Sequence, residues 1–234
     1  MSTRTLQRRE LSRSKLDLFR ECPRCFHDDV ARGVKRPSGP AFTLNIAVDE
    51  LLKREFDALR AAGQPHALFA GVPALAGVVP FVHPSMDDWR FNFKGVRWLD
   101  DATGWTLFGA VDDVWVRPDG SLLVVDYKAT AKAADLTAAS LYDGYRRQAE
   151  VYQFLLRQNG FAVDSEAWFV YANGDKTRGA FDAELKFRMT LIPYRGNSDW
   201  VLARFRAAVA CALATERPAA AEDCEWCAYA EGKR

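Results

Sequence analysis

A mixed β-sheet flanked by helices, an α/β (α+β) architecture, is the fold class that the sequence predicts. Three observations carry this expectation. The pattern runs helix, three β-rich segments, helix, strand, and then a further strand and helix. Two of the helical stretches are long and amphipathic. The chain has 234 residues, 49% of them hydrophobic, which is enough for a sizeable core in one domain.

The elements follow in order. After a basic start, residues 14–22 predict a short helix capped by Ser12 or Ser14, and Cys22-Pro-Arg-Cys25 comes next. The turn-rich link Arg36-Pro-Ser-Gly-Pro40 precedes a long helix over 42–62. Its apolar residues Leu44, Val48, Leu51, Leu52, Phe56 and Leu59 recur at helical spacing, and Gly63 ends it. Residues 64–88, rich in Gly, Pro and His, read as loop or short helix. Strands are expected over 89–98, 105–116 and 121–128. A second strong helix covers 141–158 and stops at Asn159-Gly160. Strands over 167–172 and 181–193 follow, and a last helix over 198–215 has Ser198 as its cap.

Charge is balanced, with 32 Lys+Arg against 31 Asp+Glu and a formal net charge of +1, so any nucleic-acid surface must be local. The first twenty residues hold six cations (Arg4, Arg8, Arg9, Arg13, Lys15, Arg20) against Glu10 and Asp17. Neither a signal peptide nor a membrane span is legible, which gives a cytoplasmic reading with the five cysteines as ligands or reduced thiols.

The segment from Gly109 to Lys128 predicts a β-hairpin. Pro118-Asp119-Gly120 suits a three-residue loop in which Pro presets the turn and Gly120 supplies a positive φ. Facing residues then have numbers summing to about 238, which sets Asp112 level with Asp126 on the neighbouring strand. Opposed β-carbons lie about 5 Å apart. Two carboxylates that close suppress each other's ionisation unless a cation or a proton lies between them, and a hard oxygen-seeking ion such as Mg resolves this. Side chains alternate along a strand, so Val124, Asp126 and Lys128 share one face while Val125 and Tyr127 take the other.

Cys22-Pro-Arg-Cys25 and Cys224-Glu-Trp-Cys227 are paired C-x-x-C knuckles near opposite ends of the chain. Together they supply four thiolates for a tetrahedral site that ties residues 11–30 to 211–230 within a single 1–234 domain. The spacing favours zinc. Cys211 lies in the last helix and reads as a small buried hydrophobe.

Several of these segments jointly resemble the PD-(D/E)XK nuclease superfamily, in its RecB-like branch that includes CRISPR-associated iron–sulfur exonucleases. They are Leu11 to Phe26 with its Cys-Pro, Gly109-Ala-Val-Asp112, Asp126-Tyr-Lys128 and Gln148-Ala-Glu-Val-Tyr152. The resemblance implies a restriction-endonuclease-like core and a Mg- or Mn-dependent deoxyribonuclease. Asp112, Asp126 and the Tyr127 carbonyl would be metal ligands, Lys128 would orient water or stabilise charge, and Gln148 and Tyr152 would adjoin the site. Where such nucleases usually carry a helical His as a further ligand, this chain has Asp49, with Glu55 as a weaker alternative. Arg146 and Arg147 are further candidates for phosphate contact. At the cysteines the resemblance implies a 4Fe-4S cluster, with zinc as the alternative; Cys22, Cys224 and Cys227 fit it, and Cys25 or Cys211 would replace an absent final cysteine. DNA is the implied partner, in repair, recombination or defence, and a helicase or other repair or defence protein stays open. A catalytically inactive nucleic-acid-binding module on the same fold is the second reading.

Overall fold

The computed structural model describes residues 9–40 and 42–232; Arg4 and Arg8 of the basic start lie outside these. Strand β1 (Glu10–Ser12) leads into helix α1 (Arg13–Glu21), which is capped by Ser12, whose hydroxyl accepts from the Lys15 amide at 3.3 Å. Helix α2 (Pro23–Arg32) follows at once, begun by Pro23 at its first turn and ended by Gly33 at φ 72°. That helix is additional to those expected from sequence. Helix α3 (Thr43–Ala62) ends at Gly63, φ 64°, as its pattern predicted.

Residues 64–88 hold two 3-10 turns, the short strand β2 (Val79–Pro80) and the start of helix α4 (Met86–Arg90). The first expected strand is therefore shorter. Trp89 belongs to α4, and β3 (Val96–Asp100) begins after Gly95. The run 105–116 is also corrected, because it is two strands, β4 (Trp105–Gly109) and β5 (Asp113–Val116), which enter different sheets. Residues 110–112 leave the ladder between them, and Gly109 has no side chain because Tyr152 and Arg13 crowd its backbone.

Strands β6 (Leu122–Thr130), β7 (Val163–Gly174) and β8 (Phe187–Arg195) complete a five-stranded sheet of order β2-β5-β6-β7-β8, parallel only between β6 and β7. The smaller sheet has order β1-β4-β3. Helix α5 (Asp143–Gln158) packs against strands of both sheets, while α3 covers the opposite face of the larger one. Alternation along β6 therefore splits the core. Val124 joins the α5 side with Phe169 and Leu155, whereas Val125 and Tyr127 join the α3 side with Phe56 and Trp115.

Helix α6 (Trp200–Leu213) has Asp199, not Ser198, at its start; the Ser198 hydroxyl is instead engaged by Arg157 at 2.8 Å, which binds β7 to the helix entry. Helix α7 (Glu225–Ala230) brings the chain's end back to α2. Among the described residues no helix is long and apolar enough to cross a membrane.

Candidate metal and active site

The hairpin forms in the expected register. Asp113 pairs with Val125 and Val116 with Leu122, and Gly120 sits at φ 85° in the loop. Asp112 lies just outside the ladder, where its carboxylate accepts from the Tyr127 amide at 2.9 Å, which anchors it beside Asp126.

Asp126 is 1% exposed. Its partner is the Lys128 ammonium, with which it forms an ion pair. Burial pushes the Asp126 carboxyl up to about 7; Lys128 opposes the rise and the Asp112 charge adds to it. Burial alone would lower Lys128, but Asp126 and Asp112 outweigh it and hold the ammonium charged well above its ordinary value. The Lys128 ammonium also stands 4.4 Å from the centre of the Tyr145 ring on α5, a cation–π contact.

Helix α3 brings Asp49 to the same place. Its carboxyl is raised by burial and then by Asp112, against the pull of Lys53 and Lys128. Lys53, one turn along, donates to Asp49 at 2.7 Å and lies 3.9 Å from Asp112. Glu55 is turned elsewhere and bonds His66 at 2.8 Å.

Gln148 donates to the Tyr152 hydroxyl at 3.1 Å, both being buried on one side of α5. Arg13 from α1 interacts with that phenol and with the Asp126 charge. Burial and the nearby carboxylates raise Tyr152 to about 12, so it stays a neutral phenol. Arg146 and Arg147 are committed elsewhere, Arg147 to Asp17 at 2.6 Å and Arg146 to Asp143 and the Ala138 carbonyl.

Several residues of this site carried no distinct local signal. Lys53 was legible only as the fourth residue after Asp49 on a helix, and Arg13 only as part of a basic start. Asp113 next to Asp112 is a further case. It is fully buried, accepts from the Tyr127 hydroxyl at 2.7 Å and from Arg90 at 2.9 Å, and pairs with Arg60. That network clamps the start of β5 on the α3 side and so positions Asp112 without lining the site.

Asp112 and Asp126 lie together beside the buried Lys128 ammonium, with Asp49 of α3 near enough to feel the Asp112 charge, and carboxylate oxygens of this kind could hold a hard divalent ion.

The four knuckle cysteines form the second cluster. They are buried and unpaired as disulfides, and their sulfurs all lie within 4.8 Å of one another. Cys22 is 3.8 Å from Cys227, and Cys25 is 3.6 Å from Cys224 and 3.5 Å from Cys227. Sulfurs at the corners of a tetrahedron with arms of ~2.3 Å stand about 3.8 Å apart. Burial raises Cys22, but the backbone groups of Ala221 and Cys25 and the neighbouring thiols lower it further, to about 7. Arg36 donates to Cys224 at 3.6 Å and to Glu21 at 2.8 Å. Cys211 stands apart from the set, its thiol on the Pro23 carbonyl at 3.8 Å.

Comparison with known proteins bears on the family. The family described as the PD-(D/E)XK nuclease superfamily matches residues 44–231. A solved structure titled "Crystal structure of SSO0001" is similar at a TM-score of 0.43 and 9% identity, over 92% of this chain and 81% of that one. No curated protein sequence matches. The family match runs from α3 through both carboxylate strands, α5 and the second cysteine knuckle, most of the chain's length, and on that extent the chain belongs to the PD-(D/E)XK nuclease superfamily.

Proposed function

We propose that the protein is a Mg- or Mn-dependent deoxyribonuclease of the RecB-like branch, acting in repair, recombination or defence. The observation that carries this reading is the buried Asp126 carboxylate, which lies beside a second carboxylate, Asp112, and is paired with the Lys128 ammonium. Two neighbouring carboxylates at that depth suppress each other's ionisation unless a cation lies between them. Asp112, Asp126, Asp49 and the Tyr127 carbonyl would hold the ion. Such an ion supplies charge for the scissile phosphate and a more acidic water. Lys128, kept cationic by the two aspartates, directs its ammonium at the attacked phosphate or its water and stabilises charge as it develops. Tyr145 fixes the Lys128 head from the other side, while Gln148, Tyr152 and Arg13 form the adjoining wall.

Labelled DNA with Mg or Mn, alongside Asp126→Asn and Lys128→Ala, tests the assignment. Cleavage by wild type and loss in both variants is expected; equal cleavage by all three sinks it. A DNA-binding module without hydrolysis is the second reading. The Lys53 cation between Asp49 and Asp112 favours it, since that ammonium competes for the same charge.

For the cysteines we propose one tetrahedral ion, zinc, that joins both ends of a single domain. Three sulfur separations of 3.5 to 3.8 Å, in a set whose members all lie within 4.8 Å of one another, support this. A 4Fe-4S cluster bonds each thiolate to a different iron and so needs its sulfurs farther apart. Gathered thiols also support a reducing, cytoplasmic setting. A colourless protein with one equivalent of zinc is expected, and a brown one containing iron and sulfide would reverse the choice.

A further inference from the structure

The α5-side face of the larger sheet continues beyond the carboxylates in ordered rows. Register sets Asp126 beside Phe169 and Ile192, then Lys128 beside Tyr171 and Thr190, then Thr130 beside Asn173 and Arg188. Neighbouring residues in a sheet share a face, so Arg188 stands on the same side as Lys128 and one row farther from the core.

At that edge the molecule has a groove of about 610 Å³ whose cations are Lys132, Lys176, Lys186 and Arg188. Its floor is built. Asn173, 4% exposed, donates to the Lys132 carbonyl at 3.0 Å and accepts the Lys132 amide at 2.9 Å, which fastens the chain leaving β6 to the end of β7. Of the groove's charged groups, Asp175 spends its carboxylate on the Thr177 amide and hydroxyl at 2.9 and 2.7 Å. Arg188 faces Asp135 at 3.6 Å, with both side chains mostly exposed. Lys132, Lys176 and Lys186 form no ion pair with any described residue. A positive surplus thus sits in a chain whose overall charge is only +1. Lys132 is four residues from Lys128, no more than about 14 Å away along an extended strand.

We propose that this groove binds the sugar–phosphate backbone of the DNA strand being cut, at phosphates a short step from the scissile bond. The proposal rests on the nuclease reading and names a second, non-catalytic contact for the same substrate. Phosphate contacts by lysine and arginine position a strand without reading its sequence.

The test is fluorescence anisotropy of a labelled oligothymidine single strand against full-length protein, without added Mg or Mn, across a salt series. Wild type is compared with a variant carrying Lys132→Gln, Lys176→Gln, Lys186→Gln and Arg188→Gln. Each phosphate contact removed flattens the log–log salt slope by about 0.7, so the variant should lose roughly 2 to 3 from the slope and bind at least tenfold more weakly. Circular dichroism and melting should be unchanged, because all four side chains are exposed. Arg54→Gln with Lys94→Gln, exposed cations outside the groove, should leave the slope as it is. An unaltered slope in the four-site variant, or no binding by wild type, overturns the proposal. Wild type that binds through the groove yet cuts nothing with Mg or Mn supports the groove as a strand-backbone contact while removing the nuclease reading and, with it, the placement beside a scissile bond.

Discussion

The Lys53 ammonium stands 2.7 Å from the Asp49 carboxylate, one helical turn away, and so places a positive charge where α3 meets the Asp112 hairpin. It also lies 3.9 Å from Asp112. A lysine there screens the repulsion between the two carboxylates and competes with a divalent ion for them. Lys53→Met should therefore tighten Mn binding. The pair is partly exposed, so a gain of about 1 kcal/mol, roughly fivefold, is the scale expected by calorimetric titration. Weaker binding in the variant would mean that Lys53 orients Asp49 instead.

Metal uptake should depend on pH through Asp126. Its carboxyl is raised to about 7 by burial, so below that value the site holds a proton that an entering ion must displace. Mn affinity should fall close to tenfold per pH unit as pH drops below 7, if one proton is released. Stability of the metal-free protein runs the opposite way. The folded pKa lies above the unfolded one of 3.8, so the native state binds the extra proton. Its contribution is complete below about 3.8 and is lost as pH rises through about 7. Asp126→Asn should lack both trends, which parallel Mn titrations and melts from pH 5 to 8 would read.

Asp113→Ala should unfold the protein more readily than Asp112→Ala, although the two are adjacent. Asp113 is fully buried and holds Arg60 and Arg90, whose side chains are 9% and 8% exposed. Removing it leaves two buried guanidinium groups sharing the half-exposed Asp57 carboxylate in place of a buried one, a loss of about 3–5 kcal/mol. A Tm drop of about 10 °C is expected. Asp112→Ala should melt nearer wild type while losing cleavage, and a reversed order would refute the division of roles.

At Gly109 a β-carbon would come within 2.7 Å of the Tyr152 ring and 3.2 Å of the Arg13 side chain. Tyr152 is 3% exposed and cannot swing away. Gly109→Ala should cost about 1–3 kcal/mol by overpacking and displace the Gln148–Tyr152 bond. Urea unfolding with cleavage measured on the folded fraction separates these effects; wild-type values for both would show that the wall tolerates the shift.

Much of this was written in local chemistry. The Pro118–Gly120 loop set the register that levels Asp112 with Asp126, Gly63 and Asn159-Gly160 stopped the two long helices, and C-x-x-C spacing announced the thiol pairs. Turn geometry, capping and side-chain alternation act over a few residues, so a reader of sequence alone has what is needed to find them. Only the folded chain decided that residues 105–116 divide between two sheets, that Asp113 rather than Asp112 meets Arg60 and Arg90, that Lys53 and Arg13 reach the carboxylates, and that Cys211 stays outside the thiol set. Those outcomes depend on which distant segments pack together, which is set by the summed burial of both core faces and by no residue's immediate neighbours.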